Sequence, residues 1–332
     1  MTEKVTRELS GFAKYAWFVL AWNLLVILWG VFLRASKSGD GCGQHWLTCN
    51  GEAIPSAPAL KTVIEFSHRV TSSLDGLLVT GLMVAAFVIW RRQRTDQTRR
   101  ILRASAATFL FVVIEGLLGA GLVLTGNTAE NLTPERPFWM AAHLVNTLIL
   151  LVFLTMTARY ASGGRAISFK VPGKYKAALL VGFGAILLVG ITGSIAALSH
   201  MIFPSGTIAE GMAKDFSPTS HILLRLRLLH PITAILTSVF LVFLTGWLTK
   251  ESGKDRLVVR WSNALSILVL VQIAFGSLTL LTLAPIVMQL GHLLFVDLIW
   301  ISYVMFAASF LSADHHSANV EIGSPNMDPV QL

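Results

Sequence analysis

The chain has 332 residues, of which 54% are hydrophobic and only 13% are charged. Soluble domains average roughly 25% charged residues, so a composition with a mean hydropathy of +0.67 excludes an ordinary water-soluble enzyme. The formal net charge of +8 is explained by basic residues clustered between apolar stretches, and no nucleic-acid partner is needed to account for it.

Eight apolar stretches are long enough to cross a hydrocarbon core of about 30 Å. They predict an all-α integral membrane protein with eight transmembrane helices. The stretches are 15–33, 62–90, 101–124, 138–158, 174–198, 222–249, 261–283 and 286–311. No cleavable signal peptide is recognised, so the first stretch is expected to remain as a span. The polar tail 313–332 is expected to be disordered.

Basic residues accumulate in every second connection, and this bias predicts the orientation. They precede the first stretch and lie between the second and third, the fourth and fifth, and the sixth and seventh stretches. We therefore expect both termini and these connections on the cytoplasmic side of the cell (plasma) membrane. The first, third, fifth and seventh connections are expected to face outward.

Weak internal similarity indicates two pseudo-repeated four-helix bundles, an arrangement that often places a site at the repeat interface. The matching segments are 26–41 with 186–200, and 114–125 (IEGLLGAGLVLT) with 271–282 (VQIAFGSLTLLT). The expected halves are 1–160 and 161–312. Small residues on the third helix permit close packing, and the sequence leaves open whether they pack within one chain or between protomers of a homo-oligomer.

Four histidines lie six to eight residues inside the beginning of the second, fourth, sixth and eighth stretches: His68, His143, His230 and His292. The odd-numbered stretches contain no histidine. All four are expected about 9–12 Å below the outer surface at about 1.5 Å per residue. An ionisable side chain inside a bilayer indicates a functional site, and imidazole is an axial ligand of haem iron. We therefore predict one bis-histidine haem site in each half.

The histidines have two other possible roles, a hydrogen bond in the protein interior and a zinc site. Any one of them alone is more simply explained by a hydrogen bond to a neighbouring carbonyl. A zinc site is disfavoured because no additional Cys, Asp or Glu converges in either half to complete a tetrahedral set. His45, His200 and His221 are expected in outer loops or at the membrane boundary.

The two halves differ beside their first histidine. IEFSHRV places Glu65 three residues before His68 on the same helical face, whereas RLRLLHP places Arg227 at the matching position. A carboxylate there suits proton uptake or stabilisation of positive charge, and an ion pair with Arg69 or Arg34 is the alternative. An arginine suits a porphyrin carboxylate. The candidate propionate contacts are Arg34, Arg69, Arg225 and Arg227.

Two cysteines, Cys42 and Cys49, lie seven positions apart in the first outer loop. A disulfide can persist outside the cytoplasm, and closing so short a loop constrains the unfolded chain by roughly 2–3 kcal/mol. A redox-active pair and a structural staple both remain open. A zinc site is disfavoured, because a lone pair at this spacing is not a zinc motif.

These residues resemble the haem A synthases, particularly the bacterial kind with one cysteine pair in its first outer loop. The motifs SGDGCGQHWLTCNG at 38–51 and VIEFSHRV at 63–70 carry the resemblance, together with the four histidines and the eight-helix layout. It covers the chain to about residue 311. The sequence departs from the family at one point: Leu47 and Thr48 follow Trp46, where the family often has a proline after the tryptophan. Without that proline, we expect a less rigid loop, but both cysteines and their spacing are retained.

The resemblance implies an oxidoreductase that oxidises a ring methyl of haem O to the formyl group of haem A, with oxygen from water and an acceptor that the sequence does not identify. It implies that His68 and His143 hold the substrate haem, that His230 and His292 hold a haem B cofactor, and that Glu65 is the catalytic residue. The resemblance also implies haem O synthase and oxidase assembly factors as protein partners. Membrane lipid is expected to surround the helices.

Two other classes explain some of these features. A dihaem b-type electron-transfer cytochrome, such as a quinol oxidoreductase subunit, accounts for the histidines but gives Glu65 and the cysteines no role. A transporter accounts for eight spans and a repeat but predicts broken helices with polar residues at the membrane midplane. Haem O synthase would need aspartate-rich motifs, and the Asp residues here are few and scattered.

Overall fold

The computed structural model describes residues 2–313, which contain eight helical segments long and apolar enough to cross a membrane. The predicted all-α class with eight spans is therefore confirmed. The helices are α1 (Thr2–Ala35), α2 (Leu60–Gln93), α3 (Asp96–Leu124), α4 (Arg136–Ala161), α5 (Gly173–Ile202), α6 (Ile208–Phe216), α7 (Ile222–Leu226), α8 (Leu229–Glu251), α9 (Arg256–Leu281) and α10 (Ile286–Phe310). The expected disordered tail lies, from residue 314 onward, outside the described residues.

Several helices extend beyond the predicted spans at the end rich in basic residues. With 34 residues, α2 is about 51 Å long at 1.5 Å per residue, which exceeds the thickness of the hydrocarbon core. Only Arg94 and Thr95 separate it from α3. The guanidinium of Arg94 lies 5.3 Å from the Trp90 ring, and that of Arg260 lies 5.8 Å from Trp261. Aromatic and basic side chains together are typical of a membrane–water interface.

The sixth span is interrupted. The span predicted over 222–249 is present as Ile222–Glu251. Its helix ends at Leu226 and resumes at Leu229, so the span contains a turn near its beginning. Pro231 explains the interruption, because it has no amide N–H and its ring crowds the carbonyl of Arg227, four residues earlier. The turn directly precedes His230.

A short helix in the third outer loop, α6, was not expected from hydropathy. Thr207 caps it by accepting a hydrogen bond from the Glu210 amide at 3.1 Å. Ile208, Met212 and Phe216 follow one another at intervals of four, so they lie on one face of the helix, and all three are exposed. Such a face is typical of a helix that lies on a membrane surface.

The first four helices form a ring in which each contacts the next and α1 also contacts α4. In the second half, α5 contacts α8, α8 contacts α9, and α9 contacts α10. The duplication itself stays a prediction from the sequence.

The last span, α10, packs against both halves because it also contacts α1 and α4. In its apolar 18-residue stretch, 72% of the residues are buried, against 11–33% for the other spans. The Trp300 indole donates a hydrogen bond to the Leu148 carbonyl on α4 at 2.7 Å, and the Tyr303 hydroxyl donates to Leu179 on α5 at 2.8 Å.

Candidate functional site

The four histidines lie near the N-terminal ends of their spans. His68, His143 and His292 stand eight, seven and six residues after the first residues of α2, α4 and α10. His230 is the second residue of α8 and stands eight residues after the beginning of α7. Their positions along the helices are therefore matched as the sequence predicts.

Each histidine ring lies against a glycine on the preceding long helix. The pairs are Gly30 with His68, Gly119 with His143, Gly193 with His230, and Gly276 with His292. A Cβ atom added at Gly193 or Gly276 would lie 2.9 Å from the Cε1 atom of its histidine, and one at Gly30 would lie 3.0 Å away. At Gly119 the distance would be 3.9 Å, an ordinary van der Waals contact. Three of the four rings therefore need glycine beside them.

The imidazole rings of His230 on α8 and His292 on α10 lie next to each other. Their centroids are 6.1 Å apart and their planes are nearly perpendicular, at 83°. Two imidazoles on one metal have centroids about 6 Å apart, because a metal–nitrogen bond is about 2 Å and the ring centre lies about 1 Å beyond the nitrogen. The pair therefore fits two axial ligands of one haem iron.

His68 on α2 and His143 on α4 are the first pair predicted from the sequence. The Nδ1 atoms of His68, His143 and His230 are buried and make no hydrogen bond of normal geometry. Within residues 2–313, no group of three or more His, Cys, Asp or Glu side chains is arranged to hold a metal ion. Two imidazoles suffice for a haem, because the porphyrin supplies the equatorial nitrogens.

Glu65 is buried, at 2% exposure, and both of its carboxylate oxygens are bonded. Oε2 accepts a hydrogen bond from the Cys42 amide at 2.8 Å, and Oε1 forms an ion pair with Arg69 Nη2 at 2.5 Å. The ion pair with Arg69 that the sequence left as an alternative is therefore formed. Arg69 Nη1 also donates to the carbonyls of His45, Trp46 and Thr48. The two side chains hold the first outer loop against α2.

Cys42 and Cys49 form a disulfide and are both buried. The Thr62 hydroxyl adds a hydrogen bond to the Gly41 carbonyl at 2.7 Å, so the loop is fixed to the first turn of α2 at a further point.

The four candidate propionate arginines have different surroundings. Arg69 is paired with Glu65, and Arg227 forms an ion pair with Asp215 at 2.5 Å. Arg225 is exposed. Arg34 lines a cavity of about 280 Å³ between the two halves, together with Lys37, His200 and Gln289.

The remaining histidines are placed as follows. His45 lies in the first outer loop and His221 caps α7 by accepting from the Leu223 amide. His200 lies in the last turn of α5, so the expectation that odd-numbered spans contain no histidine is wrong for that span. The fifth helix is four residues longer at this end than its apolar stretch.

Sequence reasoning missed Glu115 on α3. Its Oε1 atom lies 3.5 Å from His143 Nδ1, and its Oε2 atom accepts a hydrogen bond from Asn146 Nδ2 at 2.5 Å. Thr147 donates to Oε1. On α9, the amide nitrogen of Gln272 lies 3.1 Å from His292 Nδ1. The repeat already aligns Glu115 with Gln272, and a carboxylate inside a span was the signal available from the sequence.

Comparison with known proteins adds a family and relatives. The family model described as "Cytochrome oxidase assembly protein" (COX15-CtaA) matches residues 13–304. A "Heme A synthase" of Halalkalibacterium halodurans is 29% identical over 280 residues, which are 83% of this chain and 89% of the relative. Another "Heme A synthase", of Alkalihalophilus pseudofirmus, is 28% identical over 288 residues, 83% of this chain and 90% of the relative.

A longer relative carries a different name. A "Protoheme IX farnesyltransferase" of Thermus thermophilus is 39% identical over 314 residues. The match covers 95% of this chain and 50% of the relative. The chain thus spans half the length of that relative but nearly the full length of the two shorter ones.

Proposed function

Because the chain belongs to the cytochrome oxidase assembly protein family COX15-CtaA, we propose that it is a haem A synthase, an oxidoreductase that converts a ring methyl of haem O to the formyl group of haem A. The observation that carries the proposal is the unequal surroundings of two similar histidine pairs. Carboxylates lie one turn from His68 and beside His143. The corresponding positions near His230 and His292 hold arginine and glutamine. One site is equipped for chemistry and the other for holding a haem.

In this proposal the first half, residues 1–160, binds the substrate haem O through His68 and His143. The second half, residues 161–312, binds haem B through His230 and His292. Bound haem B supplies an iron that accepts and passes on single electrons. The separation of 6.1 Å between the His230 and His292 rings supports that assignment.

Glu65 is the proposed catalytic residue. The Arg69 guanidinium and the Cys42 amide both donate to it, and such bonds favour the charged form of a carboxyl group against the opposing effect of burial. A carboxylate held in this way suits stabilisation of positive charge at the reacting methyl carbon better than removal of a proton. Overall, the ring methyl group and one water would give the formyl group, four protons and four electrons, and the electrons would leave to an external electron acceptor.

The described helices make the chain a multi-pass membrane protein. We assign it to the cell membrane with both termini cytoplasmic. The basic residues of the second, fourth and sixth connections support this orientation. Contacts of Arg94 with Trp90 and of Arg260 with Trp261 at the same end of the bundle support it further.

Haem O synthase is the proposed partner that delivers the substrate. The Thermus relative is named for protohaem farnesyl transfer, and this chain matches only half of it. The same chain matches nine tenths of relatives named Heme A synthase. We infer that the matched half of the Thermus protein corresponds to a haem A synthase and that the remainder carries the farnesyl transfer. Such an arrangement favours direct transfer of haem O from one site to the next.

The proposal is tested by extracting and chromatographically identifying the haems bound to the purified protein, made in a host that produces haem O. The wild type should contain haem B together with haem A or a hydroxylated haem O. Glu65→Ala should retain haem binding and lose the oxidised haem. Glu130→Gln is the control, because Glu130 is an exposed carboxylate in the second outer loop, paired with Lys37.

The outcomes separate the competing functions. Haem B alone in every variant would favour a dihaem electron-transfer cytochrome. An unchanged amount of oxidised haem in Glu65→Ala would reject the role of Glu65. A wild-type protein without haem would contradict the assignment of all four histidines.

A further inference from the structure

The two fourth-helix histidines face different side chains on the preceding span. Glu115 on α3 and Gln272 on α9 each stand nine residues before the last residue of their helix. Glu115 Oε1 lies 3.5 Å from His143 Nδ1, and Gln272 Nε2 lies 3.1 Å from His292 Nδ1. Gln272 Nε2 also lies 3.3 Å from His292 Nε2 and donates to the His292 carbonyl at 3.2 Å. The matching helix position therefore holds a carboxylate in one half and a neutral amide in the other.

The surroundings of Glu115 are built to hold that carboxylate. Asn146 and Thr147, three and four residues after His143, both donate hydrogen bonds to it. The residues three and four positions after His292 are Phe295 and Val296, which cannot donate from their side chains. Phe295 instead packs against Phe275, with ring centroids 5.2 Å apart.

A carboxylate inside a membrane span is unfavourable and marks a functional role. Histidines that bind a metal usually donate their second ring N–H to a carboxylate, a carbonyl or water. A carboxylate in that role orients the ring and makes it a more basic ligand. His143 Nδ1 is buried and makes no hydrogen bond of normal geometry, so Glu115 is positioned to accept its proton in a hydrogen bond.

We propose that Glu115 is a positioning residue of the first site that orients His143 and makes it a stronger electron donor to iron than His292. The inference rests on the proposed function, because it takes both histidines as haem ligands. A negative charge beside the first site stabilises ferric over ferrous iron there, relative to the second site with its neutral Gln272. This difference would favour electron transfer from a haem held by His68 and His143 to a haem held by His230 and His292.

The test exchanges the two side chains and measures midpoint potentials of the bound haems by spectroelectrochemical titration of the purified holoprotein. Glu115→Gln should raise the potential of the first-site haem, and Gln272→Glu should lower that of the second. Glu115→Asp should keep the potential closer to the wild-type value. Glu130→Gln should leave both potentials unchanged, because its carboxylate is exposed in an outer loop. A His292→Ala variant, which lacks the second haem, identifies the first-site signal.

Haem content is measured on the same samples. Loss of an outer-shell partner typically lowers metal affinity by about 10- to 100-fold, so Glu115→Gln should lower occupancy of the first site alone. If that variant binds too little haem to titrate, Gln272→Glu still tests the inference, because it adds a charge to an intact site.

The failure of this inference differs from the failure of the proposed function. Two bound haems whose potentials do not respond to either exchange would overturn the role of Glu115 and leave the haem sites in place. A wild-type protein that binds no haem would overturn both. Opposite shifts in the two exchanges, with Glu130→Gln unchanged, would support the role of Glu115.

Discussion

The first and second halves present their histidines in the same way but surround them with different chemistry. In both halves the histidines lie near the N-terminal ends of their spans and against glycines. Three acidic residues of the first half correspond to uncharged or basic residues of the second half. The correspondence follows the spacing from His68 to His230 for two of the pairs and the alignment of the repeated segments for the third. The pairs are Glu65 with Arg227, Asp75 with Thr237, and Glu115 with Gln272. In the proposed function, the shared scaffold would determine where a haem is held, and the differing side chains would determine the chemistry at each site.

The outer loops of the halves differ as well. The first loop is tied down by the Cys42–Cys49 disulfide and by Arg69, which also pairs with the buried Glu65. The third outer loop contains α6 and is tied to the sixth span by the ion pair between Arg227 and Asp215. The first outer loop is therefore held at more points than the third outer loop.

The largest loss of stability is expected from replacing Arg69 or Arg227, the two arginines that hold an outer loop through an ion pair. Arg69→Ala leaves the carboxylate of Glu65, which is 3% exposed, without its cation, and breaking such a buried pair costs about 3–5 kcal/mol. Arg227→Ala should cost less, because the side chain of Asp215 is 11% exposed. Thermal unfolding in detergent and proteolysis of each loop would measure both effects.

A double variant sharpens that comparison. Glu65→Gln in the Arg69→Ala background should recover part of the lost stability, because a neutral amide is less unfavourable than an unpaired buried charge. Equal losses in Arg69→Ala and Arg227→Ala would contradict the view that the first loop is the more strongly held.

A smaller effect is expected from the disulfide. Replacing both Cys42 and Cys49 with serine should lower the free energy of unfolding by about 2–3 kcal/mol, because the loop is short. The first outer loop should become sensitive to protease, while the third outer loop should not change. Loss of oxidised haem from a variant whose loop stays protected would instead favour a redox role for the cysteines.

The glycines provide a matched pair of substitutions in the two halves. Gly276→Ala would place a Cβ 2.9 Å from His292 Cε1, whereas Gly119→Ala would place one 3.9 Å from His143 Cε1. Overpacking of this kind costs about 1–3 kcal/mol, so Gly276→Ala should lower haem occupancy in the second half. Gly119→Ala should leave the first half unaffected. Quantitative haem extraction would check both, and the reverse order would contradict the packing.

The smallest effect concerns an ion pair within the second half, between the connection before α5 and the beginning of α9. Asp255 caps α9 and forms an ion pair with Arg165 at 2.7 Å. Asp255→Asn keeps a good cap and removes only this partly exposed pair, at about 0.2–1 kcal/mol. Asp255→Ala should lose about 1 kcal/mol more, because the cap is also removed. Identical melting temperatures for the two variants would show that the cap contributes nothing.

The sequence was sufficient for features that depend on local pattern. Hydropathy predicted the spans, and the spacing of the histidines predicted their matched positions. Pro231 was visible too, but hydropathy alone does not register the interruption that it causes before His230. The nine residues of α6 are too few for a span, and only their interval-of-four pattern identifies the helix.

Contacts between distant parts of the chain were harder to foresee. Arg69 binds carbonyls more than twenty residues away, and Glu115 faces His143 across a helix pair. Neither contact follows from periodicity, because each depends on how the helices pack. The Glu65–Arg69 pair was foreseen as an alternative, since residues four apart are neighbours on a helix.

The central position of α10 has a consequence for biosynthesis. Chains are made and generally fold from the N-terminus, and α10 is the last of the described spans. Yet it contacts α1 and α4, and Trp300 binds the Leu148 carbonyl in the first half. The first four helices therefore reach their final packing only after α10 has been translated and inserted, so assembly of the first site waits for the last of the described spans.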